Sequence, residues 1–208
     1  MDKWYMPTPL DIKASEYAEL YFDDMRLAKG SIVEKFFWLS YQDGSMEYAL
    51  PHEFSSLLDA NNYRYIVEET PDGIAGQCCN TEHIVTISPT YEEDDKTLLH
   101  EMIHVFIGLL GCTEDFINPY GENVAVGWIP PFVRDALMLS LYTELSHKIP
   151  DLDYRILAHA NVHSGERITV EGGNHDVLFF LKSLDLDLKL GCPLGTICGY
   201  GREKYDAS

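Results

Sequence analysis

Leu98-Leu99-His100-Glu101-Met102-Ile103-His104-Val105-Phe106-Ile107 is the stretch on which the reading of this chain turns. Residues four apart on an α-helix share a face, so the imidazoles of His100 and His104 can reach one ion. Glu101, about 100° further round, stands where a water on that ion would sit. Apolar residues run all round the segment from Leu98 to Leu110, which predicts a helix with no solvated face. Two imidazoles and a carboxylate in such surroundings are costly unless a cation or hydrogen-bond partners compensate them; zinc is the ion this spacing suits. The bland alternative is a structural histidine pair. Local context favours the metal. Thr90 and Glu93 read as a capping box, Glu92 to Asp95 put negative charge at the positive end of the helix dipole, and Gly111 can close the helix.

Upstream, Tyr63 to Glu69 alternates as a strand before a Pro71-Asp72-Gly73 turn. Ile74 to Cys79 and His83 to Ser88 form a strand pair joined through Asn80-Thr81, so a small antiparallel sheet is expected just ahead of the helix. Nearer the start, Asp11 to Lys29 reads as an amphipathic helix ending before Gly30, and Ile32 to Tyr41 as a strand or a continued helix. Asp43-Gly44 marks a turn, and Glu53 to Ala60 a short helix. Downstream, Pro131 opens a helix over Phe132 to Lys148, and Leu152 to Val162 makes another. Asp176 to Leu184 makes a further one, entered from Gly172-Gly173-Asn174. Leu184 to Leu190 alternates with period two, and periodicity alone predicts a strand there. Without repeats, low-complexity tracts or clear linkers, residues 1–208 read as one α+β domain. Its core is 63–190, and 112–171 is a helical insertion carrying additional C-terminal helices.

Fifteen Lys and Arg against 34 Asp and Glu give a net charge of −19, which offers no electrostatic attraction to nucleic acid or to an anionic membrane. No apolar run approaches membrane-spanning length, and the N-terminus has no apolar signal core. Five cysteines, an odd number, then point to reduced thiols and a cytoplasmic protein. Cys192 and Cys198 do not fit the spacing of a zinc ribbon, so packing is their default role.

A catalytic zinc takes three protein ligands and keeps a fourth position for water. Position 110 is Leu110, so a third histidine six residues after His104 is absent. The residues leave Glu122, Glu144, His147, His159, His163, Glu171 and His175 open as the third ligand. Of these, His175 follows flexible glycines and precedes the apolar anchor Val177 to Leu181. His159 and His163 form another pair at helical spacing, which reads first as packing.

Ile74-Ala75-Gly76-Gln77-Cys78, His83 to Pro89 and Leu98 to His104, taken together, resemble the core of the SprT-like zinc metalloproteases. Gly173-Asn174-His175-Asp176-Val177-Leu178-Phe179 is similar to that family's His-x-x-x-Phe element. The resemblance covers Ile74 to Leu110 and Gly172 to Leu190, about a quarter of the chain. It implies a zincin active-site helix, Zn²⁺ on His100, His104 and His175, and Glu101 as general base in a metallopeptidase acting on peptide or protein. The acidic balance and the lack of a zinc ribbon separate the chain from DNA-repair members. Tyr154, His159 and His163 are candidate oxyanion donors, and the strand His83 to Ser88 is an expected edge for peptide addition. Two rivals stand beside this reading. One is a catalytically inactive zinc-binding sensor or interaction domain; the other is a zinc amidohydrolase of a small molecule.

Overall fold

A computed structural model describes residues 7–25, 63–71, 74–111, 115–117, 123–125, 131–163 and 175–199. Within them, five α-helices and two small sheets form a mixed α+β arrangement. The expectations for Ile32 to Tyr41, Asp43-Gly44, Glu53 to Ala60, Gly172 to Asn174, Glu122 and Glu171 lie outside the described residues.

Helix α1, Pro9–Tyr21, starts at Thr8, whose side chain accepts from the Asp11 N–H while the Asp11 carboxylate accepts from the Thr8 N–H. This capping box, with Pro9 at the first helical position, is the start signal; Phe22 is the C-cap, so the helix is shorter than the apolar spacing suggests. Asp11 does a second job. Its Oδ1 accepts the Tyr65 N–H at 2.8 Å, tying α1 to strand β1, Arg64–Val67.

Strands β2, Gly76–Cys79, and β3, Ile84–Ile87, pair antiparallel with Gly76 opposite Ile87 and Cys79 opposite Ile84. Strand β1 pairs with β3 in parallel, Arg64 opposite Ile84, giving the order β1-β3-β2. The sheet is therefore mixed, not antiparallel as the sequence suggested. Because β2 hairpins back onto β3, β1 is left the other side of β3, where it meets a strand of its own direction. Strand β3 is accordingly the central strand. The expectation that His83 to Ser88 offers a free edge is corrected: β1 and β2 are the edges, and no described strand pairs with the outer side of β2.

A 3₁₀ turn, Pro89–Tyr91, leads to α2, Asp95–Gly111, the helix of the His-Glu motif. Asp94, rather than Thr90, heads it: its carbonyl accepts from the Leu98 N–H, and its side chain takes hydrogen bonds from the Lys96 N–H and the Thr97 hydroxyl. Leu98, Leu99, Met102, Ile103, Val105 and Phe106 are all buried, as an all-round apolar helix requires. Helix α2 lies between the sheet and a final helix α5, Val177–Leu190. Phe22 stacks on Phe106 at 4.5 Å and closes the α1 end of this core.

Between α2 and α5 come strands β4, Asp115–Ile117, and β5, Asn123–Ala125, which pair antiparallel, then helices α3, Pro131–Ser146, and α4, Leu152–His163. The span expected as a helical insertion thus also carries a two-stranded ribbon. Leu184 to Leu190, a strand by periodicity, belongs to helix α5. Residues Leu178 to Asp187 are buried all round, so two of the three polar positions that create the period-two pattern, Asp185 and Asp187, are interior, and the exposed Lys189 bonds Asp185. Lys182 bonds Asp24 at 2.6 Å and Asp185 at 3.0 Å, and so fastens the end of α1 to α5. No described helix is long and apolar enough to cross a membrane.

Candidate metal centre

His100 and His104 stand one helical turn apart on α2, and His175 arrives from the residue before the N-cap of α5. Their ligand nitrogens all lie within 4.8 Å of one another. His100 Nε2 and His175 Nε2 are 3.2 Å apart. Two nitrogens each 2.0–2.1 Å from one tetrahedral ion are separated by about 3.3 Å. The spacing fits.

The phenyl ring of Phe179 makes the floor. It is fully buried, and its centroid is 4.9, 4.6 and 4.4 Å from the rings of His100, His104 and His175. The sequence offered Phe179 only as part of a family element and an apolar anchor. Burial favours the neutral form of His100 and His104, which is the form that binds a metal. His100 is held below the ordinary histidine range by desolvation, and His104 well below it by desolvation and by the neighbouring rings of His100 and His175. The His100 Nδ1 lies 2.8 Å from the Ile197 carbonyl, which can only accept, so Nδ1 carries the proton and the Nε2 lone pair is left for a metal.

His175 is held by its neighbours rather than by a helix of its own. Asp176 caps α5, accepting the Phe179 N–H at 2.9 Å, and forms an ion pair with Arg134 of α3. His159 on α4 donates its Nε2–H to the His175 carbonyl at 2.6 Å, with its ring stacked 4.3 Å from Phe180. His159 thus positions the backbone beneath the candidate ligand and is not itself one of the convergent three. Glu144 on α3 and His147 in the turn just after it are exposed, and Glu144 pairs with Lys148 at 2.6 Å. Tyr154 is exposed on α4, and neither it nor His159 lines the cleft described next.

Glu101 is 5% exposed. A Cβ placed on Gly76 would fall 2.9 Å from its Cγ and 3.0 Å from its Oε1, so the hydrogen at residue 76 leaves the room the carboxyl occupies. Desolvation pushes the carboxyl pKa up to about 8, against a hydrogen bond from the Cys78 backbone that favours the charged form. Glu101 and His100 open onto a cleft of about 290 Å³ walled by Ala75 and Gly76 on one side and Thr196, Ile197 and Gly199 on another. Strand β2 therefore begins at the lip of the site.

Three imidazoles whose ligand nitrogens lie this close together, and a carboxyl beside an open cleft, form a donor set that suits zinc. Comparison with known proteins adds nothing to this: no family model, curated protein or solved structure matches the chain.

Proposed function

We propose that the chain is a zinc-dependent metallopeptidase of SprT-like architecture, with His100, His104 and His175 as ligands and Glu101 as general base. The observation that carries the reading is the convergence of three imidazoles on one point next to a buried carboxyl that faces an open cleft. When bound, zinc supplies Lewis acidity, acidifying a water and polarising a carbonyl. Glu101 takes the proton from the attacking water and passes it to the leaving amine. A carboxyl whose pKa lies near 8 in the ion-free site can both accept and release a proton near neutrality. The buried Phe179 ring backs all three imidazoles.

Peptide is the favoured substrate because the edge strand β2 runs from the cleft, and its outer side offers main-chain groups to an extended chain. An open cleft suits a polymer better than a small amide. The room left at Gly76 for the Glu101 carboxyl argues against a domain that merely holds zinc, since binding alone needs no carboxylate there.

The test is direct. Purified protein is expected to hold one zinc and to cleave an unfolded protein substrate in a reaction that a chelator abolishes. Glu101→Gln is expected to retain the ion and lose turnover by about 10²-fold or more. Undiminished cleavage by that variant removes Glu101 from the mechanism, and a protein without zinc removes the metallopeptidase reading.

A further inference from the structure

Asp187 is buried to zero exposure on α5 and touches none of the three imidazoles, yet it holds the segment that does. Its Oδ2 accepts the Gly195 N–H at 2.6 Å and its Oδ1 the Ile197 N–H at 3.0 Å. Its own main-chain carbonyl accepts the Cys192 N–H at 2.8 Å. Gly191, at φ 66°, ends the helix in the left-handed conformation that glycine adopts without steric penalty, and the chain doubles back under these three anchors. Ile197 is thereby buried, 1% exposed, with its carbonyl 2.8 Å from His100 Nδ1.

We infer that Asp187 is a positioning residue for the metal centre: by clamping the 191–197 loop it fixes the Ile197 carbonyl, which holds His100 in the Nδ1–H tautomer with Nε2 aimed at the ion. An apolar side chain of similar volume would spare the fold the desolvation of a carboxylate. What the carboxylate adds to the loop's own turn bonds, such as Thr196 N–H to the Pro193 carbonyl, is a tie from two of its amides to the interior of α5. Asp185, two residues earlier and 3% exposed, provides the contrast. It bonds Lys182 at 3.0 Å and Lys189 at 2.8 Å and none of the loop amides. The two aspartates divide the work: one braces the lysine that ties α5 to the end of α1, the other sets a ligand.

The inference rests on the metal part of the proposed function. Its test compares wild type, Asp187→Asn and Asp185→Asn at a temperature where all are folded. Zinc affinity is read by competition with a chromophoric chelator, and the His100 tautomer by ¹⁵N NMR of the metal-free protein. Asp187→Asn is expected to weaken zinc binding by about 10- to 100-fold and to turn the single His100 tautomer into a mixture. Asp185→Asn is expected to lose stability and leave both readouts unchanged. Wild-type affinity in Asp187→Asn, or an equal loss in Asp185→Asn, overturns the positioning role. Should Asp187→Asn not fold, the wild-type spectrum decides: a proton on Nδ1 protected from exchange supports the clamp, and a proton on Nε2 overturns it. A wild type that takes up no zinc overturns the metal reading itself, so the two failures are told apart.

Discussion

A methyl group at residue 76 is a sensitive probe of the site, because it would occupy space that the Glu101 carboxyl fills. Gly76→Ala is expected to displace that carboxyl while leaving the imidazoles alone. Steady-state assays should then show turnover lower by on the order of 10²-fold, with zinc content unchanged. Lost zinc with intact turnover per bound ion would contradict this. The raised Glu101 pKa makes a separate statement about stability. In the ion-free fold the carboxyl titrates at about 8, against 4.5 ordinarily, so between those values the folded chain holds a proton that the unfolded chain has released. Its contribution is whole below the lower value and drains away as pH climbs through the upper one. Thermal unfolding of metal-free protein should therefore show wild type losing stability relative to Glu101→Gln as pH rises from about 5 to about 8.5, by on the order of 3–5 kcal/mol. Parallel curves for the two proteins would mean that the carboxyl is not desolvated.

Helix α5 carries the most consequence among the elements, since the third imidazole, the phenyl floor and the loop clamp all hang from it. Its N-cap, Asp176, is the residue next to His175. Asp176→Ala strips the cap bond and the Arg134 pair together, and is expected to cost about 1–2 kcal/mol in denaturant unfolding and to weaken zinc binding. Arg134→Ala should cost less, because a half-exposed ion pair contributes little by itself. Equal zinc affinity in wild type and Asp176→Ala would detach the cap from the site. The α2 helix, its histidine pair and the strands before it were legible because their signals are local: apolar periodicity and fixed spacing within a few residues. Three features were not. The parallel pairing of β1 depends on which side of β3 the hairpin leaves free, and no local pattern encodes that. The end of α5 alternates Leu with Asp and Lys because its polar residues bind interior partners, so a helix imitates a strand. His159 reads as one of a histidine pair until the fold brings its ring under a carbonyl sixteen residues away.

The molecule as a whole carries a charge of −19, and its field should select among substrates before any contact forms. For peptides of equal length, kcat/KM is expected to fall with added salt for a lysine-rich sequence and to rise for a glutamate-rich one. Identical salt responses would show that the field at the cleft is not that of the whole surface. A different form of discrimination follows from the Phe179 floor. Among the described residues, a seat walled by three imidazole nitrogens and a phenyl ring has the Glu101 carboxyl beside it and no second carboxylate in the ligand cluster. Magnesium and calcium, which demand six or more oxygen ligands, are poorly served however abundant they are. Copper is not: nitrogen donors prefer it to zinc. Trace copper, rather than any alkaline-earth ion, is thus the contaminant expected to compete with the proposed zinc during purification.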